Sequence, residues 1–243
     1  MGEILKNYCW IRAWNARCWH DMCMVPSIDM YMKAFTVDWQ QAIKPLLRKY
    51  KNRQHPLEGK NAYQYLVMVV LSARSSDKLI NSLAPALFHA YPTLRSLSKA
   101  TPEALYPYIS KVINFRHKAI WLTDIAAQLK KGSAIPLDMD KLVELPGIGR
   151  KSANVILRET GAKPAGIMVD LHTLRVAPRL GITNEKDGPK MEQRLMELFP
   201  LKQWDIGMAL SFHGREICRP KPQCGICLMR KVCAYYKSVY TKL

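Results

Sequence analysis

The run Leu142-Val143-Glu144-Leu145-Pro146-Gly147-Ile148-Gly149-Arg150-Lys151 reads as two short helices joined by a tight turn. Leu142 and Leu145 share a face of the first helix. Pro146-Gly147 stops it, and Gly149 permits the turn. Ala153, Ile156 and Leu157 then form the inner face of a second helix. The pattern is a helix–hairpin–helix. Its turn aims the free N–H groups of the second helix's first turn outward. Together with the positive end of the helix dipole, those donors bind a phosphate without reading a base. An ordinary αα-turn is the plainer alternative, but Gly-x-Gly followed by two basic residues favours the phosphate grip.

Working outward, the apolar period stays helical. Ala62, Tyr65, Leu66, Val69, Val70 and Ala73 form a stripe, as do Leu122, Ile125, Ala126 and Leu129, and Met191, Leu195, Leu198 and Phe199. Thr101-Pro102-Glu103 reads as an N-cap, a proline at the first helical position and an acid in the first turn. Apolar runs such as Ile167-Met168-Val169 are too few for a sheet. The expected class is all-α, with many short helices and no tandem repeat.

Composition narrows the partner. Lys plus Arg total 37 against 19 acidic residues, a formal charge of +18. An excess of that size calls for a polyanion, and nucleic acid fits better than a membrane. No run approaches the length of a membrane-spanning helix. Residues 1–30 differ from the rest: Trp10, Trp14 and Trp19 accompany Cys9, Cys18 and Cys23 with no amphipathic period. They carry no secretory signal. The expectation is an extension over 1–35 that is not part of the core, with Met30 or Met32 as the functional start; deleting residues 1–29 should leave folding and activity intact.

Cys218, Cys224, Cys227 and Cys233 are spaced C-x5-C-x2-C-x5-C. Thiolates this close can converge on one centre, and soft sulfur selects zinc or an iron–sulfur cluster. The wide arms around a central C-x2-C suit a four-iron cube better than zinc, which usually takes two short knuckles. Two disulfides are the alternative; the odd remainder Cys9, Cys18 and Cys23, with no partner logic among them, and the missing secretory context suggest a reducing compartment instead.

Lys151 sits in the first turn of the hairpin's second helix, beside Arg150 and the positive dipole end. Those surroundings favour a neutral, nucleophilic amine. Taken alone, such a lysine is more often a phosphate contact. Asp170, in Val169-Asp170-Leu171-His172, follows a Gly/Pro-rich loop and is placed to cap a helix. An ionised cap facing Lys151 across a cleft could steady positive charge on a sugar. His172 and His213 read as structural histidines.

With these residues in hand, the chain resembles the endonuclease III family of helix–hairpin–helix DNA glycosylases. The matching stretches are Leu71–Asp77 (LSARSSD), Leu145–Leu157 (LPGIGRKSANVIL), Val169–Val176 (VDLHTLRV), Phe212–Cys218 (FHGREIC) and the cysteine set. The resemblance runs from about residue 37 to the C-terminus. It implies two helical lobes with a DNA cleft between them: a six-helix barrel over 59–163, and a discontinuous lobe from 36–58 and 164–243. Cys218, Cys224, Cys227 and Cys233 would hold a 4Fe–4S cluster in that second lobe, with a structural role. It further implies base-excision repair of oxidised pyrimidines in duplex DNA by a monomer. Lys151 would attack C1′ and form a Schiff base, Asp170 would activate the amine or steady the sugar cation, and β-elimination would nick the strand. Leu145, Gly147, Gly149, Arg150, Arg74, Asn114, Arg219 and Lys221 would contact DNA. The compartment would be the cytoplasm and nucleoid of a bacterium, or the nucleus or mitochondrion of a eukaryote.

Three positions depart from the family's pattern. The first cysteine gap holds five residues, where six is usual. Arg74 stands where a glutamine commonly fills the space left by the flipped base. Asn114 stands where an apolar wedge is frequent, so Phe115 or Ile113 is expected to take that role. Two other readings compete. A monofunctional mismatch glycosylase of the same superfamily usually lacks a lysine at the Lys151 position. A non-catalytic, zinc-containing DNA-binding module leaves Asp170 unexplained.

Overall fold

The structure is a computed structural model that describes residues 37–129 and 135–240. The expected extension over 1–35, with its starts at Met30 or Met32, lies outside the described residues. Every regular element among those described is helical, so the chain is all-α as its periodicity requires.

Short polar residues start the helices. Asn61 caps α3 (Ala62–Ser72), Ser76 caps α4 (Asp77–Ala90) and Thr93 forms a capping box on α5 (Leu94–Leu97). Thr101 caps α6 (Pro102–Ile109) with Pro102 just inside, as the sequence predicts. Asp138 and Asp187 cap α8 (Met139–Val143) and α11 (Gly188–Leu198). Each such cap contributes about 1 kcal/mol, which matters for helices too short to persist alone. The remaining helices are α1 (Trp39–Ala42), α2 (Lys44–Lys49), α7 (Phe115–Leu129), α9 (Arg150–Glu159), α10 (Leu171–Leu180), α12 (Ile206–Glu216) and α13 (Ala234–Tyr240).

Helix α3 departs from expectation. The sequence suggests a stripe, yet Tyr63 and the whole run Tyr65–Leu71 are buried. A helix apolar all round is a central one; α4, α7 and α9 pack on it. The most extensively paired helices fall into two sets. Helices α3 to α9 contact one another, and α1, α2, α10, α12 and α13 contact one another.

Two glycines permit the approaches that shape the site. Gly147 has φ +76°, and a Cβ there would overlap the Trp121 ring of α7. Gly214 lets α12 approach α10 so closely that a Cβ would lie 2.8 Å from the Cβ of His172. The hairpin turn is therefore carried by Gly147. Gly149, expected to permit it, has φ −97°, and a Cβ there would meet nothing within 4 Å.

Candidate active site and cysteine cavity

The hairpin comes first. Helix α8 leads through buried Leu145 and Ile148 to Gly149, which starts α9 without a side-chain cap. Arg150 and Lys151 thus occupy a first turn whose N–H groups are free for a ligand. Leu145 is buried, so its side chain anchors the hairpin in the core. Arg150 is committed as well: its Nε and Nη2 each donate to Glu192 at 2.9 Å. Asn154 donates to the same carboxylate at 3.0 Å. What α9 offers a phosphate is therefore its backbone more than the Arg150 side chain.

Lys151 and Asp170 line one open cleft of about 540 Å³, with Ser72–Asp77, His172 and Arg215 around them. That volume lies in the range of small-molecule sites. Among the described residues, the Lys151 amine makes no hydrogen bond or ion pair. Asp170 is fully engaged. Its Oδ1 accepts the N–H groups of His172 and Thr173, both at 2.9 Å, and its Oδ2 accepts Ser211 Oγ at 2.6 Å. Arg215 Nη2 lies 3.8 Å from the same Oδ2. Burial pushes the Asp170 carboxyl upward. The Ser211 hydroxyl, the Thr173 N–H and the neighbouring positive charges outweigh that and hold it below the ordinary value.

Sequence reasoning missed several members of this wall. Asp77 accepts Arg215 Nη1 at 2.9 Å and brings a second carboxylate into the cleft. His55, which does not itself line the cleft, is buried, with Nδ1 accepting the Leu57 N–H at 3.1 Å. Burial, then the charge of Lys151, pushes its pKa down to about 4, so the imidazole is neutral. His172, read as a satisfied structural histidine, in fact lines the cleft; His213 is buried, and its Nδ1 has no hydrogen-bond partner among the described residues. Arg74 and Asn114 are exposed, and both adopt left-handed backbone, with φ of 60° and 58°. Ile113 is 47% exposed, whereas Phe115 packs edge-on against Tyr106. Arg219 and Lys221 are exposed on the loop between the first two cysteines.

Cys218, Cys224, Cys227 and Cys233 line one cavity and none is in a disulfide. Hydrogen-bonding groups surround the sulfurs. His213 Nε2 lies 3.4 Å from Cys227 Sγ, the Tyr236 N–H donates to Cys233 Sγ at 3.4 Å, and Arg179 reaches Cys218 Sγ at 3.7 Å. Burial, then nearby sulfurs, raises the thiols of Cys227 and Cys233 against some backbone help. A cationic centre is what such a set needs to become thiolates. Among the described residues, no three His, Cys, Asp or Glu side chains converge on the position of a single ion. A cavity walled by four cysteine sulfurs is a soft donor set of the kind that zinc and iron–sulfur centres select. Arg179 holds the loop between the first two cysteines, donating to the carbonyls of Arg219 and Pro220 at 2.6 and 3.1 Å.

Residues 67–201 match the family model described as HhH-GPD superfamily base excision DNA repair protein. Endonuclease III of Synechocystis sp. is 32% identical over 192 residues, covering 77% of this chain and 88% of that protein. The chain belongs to the endonuclease III family. Endonuclease III of Thermotoga maritima is 35% identical over 179 residues, covering 72% and 84% of the two chains. A solved endonuclease III, trapped as a covalent intermediate with DNA, superposes with a TM-score of 0.77 at 30% identity. That match covers 84% of this chain and 98% of the other. Membership in the endonuclease III family makes this a base-excision DNA repair protein.

Proposed function

We propose that the chain is a bifunctional DNA glycosylase and abasic-site lyase that removes oxidised pyrimidines from duplex DNA. The observation that carries this reading is the shared cleft: an unpaired amine, Lys151, opens onto the same space as the ionised carboxylate of Asp170. The sugar C1′ is unreachable within a stacked duplex, so the damaged nucleotide must be turned out into that space.

The Lys151 amine bonds to C1′ as the glycosidic bond breaks and the base leaves with the bonding electron pair. The nitrogen loses its proton and the sugar ring opens, giving a Schiff base. Loss of a C2′ proton and departure of the 3′ phosphate then cut the strand by β-elimination. Both oxygens of Asp170 are already engaged, which suits a fixed negative charge opposite a developing cationic sugar better than a proton acceptor.

Read as the expected lobes, the two sets of paired helices would hold the hairpin in one and Asp170 in the other. Gly147 and Gly149 bring the α9 backbone to a phosphate. Arg219 and Lys221 add charge on the cysteine loop, and Arg74 faces the orphaned base. Ile113, exposed beside Asn114, takes the wedge role that Phe115 cannot leave its packing to fill. Cys218, Cys224, Cys227 and Cys233 would hold a 4Fe–4S cluster. When bound, it supplies a structural cross-link and a one-electron centre.

Borohydride reduction tests the central step. Wild-type protein mixed with a duplex carrying dihydrouracil should yield a covalent adduct, and Lys151→Gln should yield none while still binding. No adduct with wild type would leave a monofunctional glycosylase or a binding module.

A further inference from the structure

Among the described residues, Lys118 is a buried cation with no carboxylate partner. It lies on α7 in phase with the buried Leu122 and Ile125 and is 2% exposed. Its ammonium donates to the Leu71 carbonyl at 2.8 Å and also to the Ala73 carbonyl. Those groups end α3: the C-cap Ala73 leads into left-handed Arg74, and the Ser75 N–H closes the turn on the Ser72 carbonyl at 2.9 Å, which leaves the Leu71 and Ala73 carbonyls to the ammonium. A cation from a neighbouring helix supplies what the terminus lacks, at the negative end of the helix dipole. Burial, with Arg74 adding repulsion, pushes the Lys118 pKa down to about 8.

The chain leaving this cap is the cleft wall Ser72–Asp77. It is fastened along its length. Ser75 Oγ accepts the Ile113 N–H at 3.3 Å, Ser76 caps α4, and Asp77 pairs with Arg215. Arg74 stands in the middle of this wall. It is exposed, in left-handed backbone, and without a hydrogen bond or ion pair among the described residues. Left-handed backbone is uncommon for such a residue and persists where the surroundings impose it.

We propose that Lys118 is a positioning residue: its ammonium, gripping Leu71 and Ala73, sets the turn that presents Arg74 to the cleft, so that discrimination by Arg74 depends on Lys118. This rests on the reading of the cleft as the damage site and of Arg74 as facing the orphaned base.

The test is the rate of base release from four duplexes that differ only in the base opposite a dihydrouracil. Wild type, Arg74→Ala, Lys118→Met and the double variant are compared under single-turnover conditions. Loss of folded protein scales all four rates equally and leaves their ratios untouched. Lys118→Met should reproduce the ratios of Arg74→Ala, altered several-fold from wild type, and Arg74→Ala should change them no further in the Lys118→Met background. If Lys118→Met does not fold, Lys118→Gln, which keeps donors without the charge, takes its place. Wild-type ratios in the Lys118 variant, ratios unmoved by Arg74→Ala, or independent effects in the double variant would each overturn the proposal. Borohydride trapping of the wild type, run alongside, reports separately on the damage-site reading.

Discussion

Arg150 and Glu192 are joined by two hydrogen bonds of 2.9 Å, which tie the first turn of the hairpin's second helix to α11. Glu192 is buried and also receives Asn154. Glu192→Ala leaves both donors without their acceptor and should cost about 2 kcal/mol, at the modest end for charged hydrogen bonds because Arg150 is half exposed. Glu192→Gln, which keeps an acceptor, should cost about half as much. The shift of the urea unfolding midpoint measures both.

The two hairpin glycines should separate folding from binding. Gly147→Ala forces a side chain into left-handed backbone and against Trp121, and should lower stability by about 1–3 kcal/mol. Gly149→Ala meets open space at φ −97°. It should leave stability within about 0.5 kcal/mol and weaken DNA binding on damaged and undamaged duplexes alike. Thermal melting and a titration at low salt read the two quantities.

Much of this arrangement could be read from the chain. Caps at Thr101 and Asp170 and the stripe of α7 mark helices by local rules, and the hairpin shows in its punctuation. What escaped is long-range. Arg215 and Ser211 belong to Asp170 only because Gly214 lets α12 lie against α10, and no spacing encodes that approach. Glu192 gives no local sign that it will clamp Arg150. Lys118 did leave a signal, a lysine in phase with buried Leu122 and Ile125, but its carbonyl partners lie some 45 residues earlier. Helix α3 read as amphipathic because its apolar run does not say how many sides will be covered.

Asp170→Asn should slow base release on the order of 10²–10³-fold, by removal of a preorganised charge. Asparagine also caps helices, so stability should change by less than about 1 kcal/mol. The folded carboxyl lies below its reference value of 3.8. The stability its ionised form contributes is therefore complete above that value and is lost as pH falls through the lower, folded one. From about pH 5 upward Asp170 is ionised throughout. The ratio of wild-type to Asp170→Asn rates should be constant across that range; a ratio that collapses toward pH 5 would place the titration elsewhere than predicted.

Protein isolated without chelators should be brown and carry iron and acid-labile sulfide in equal amounts. Cys227→Ser should lose much of both and melt at lower temperature. A colourless protein with one zinc would instead favour a binding module.

Helix α10 gives the cysteine cavity a mechanical line to the chemistry. Asp170 stands at its first turn, and at its last turn Arg179 holds the cysteine loop while its carbonyl accepts Cys233 Sγ at 3.3 Å. Ten residues make a stiff rod of about 15 Å. A rod that short transmits tilt with little bending. A shift of the cysteine loop would therefore be felt at the carboxylate held by the opposite end of the helix.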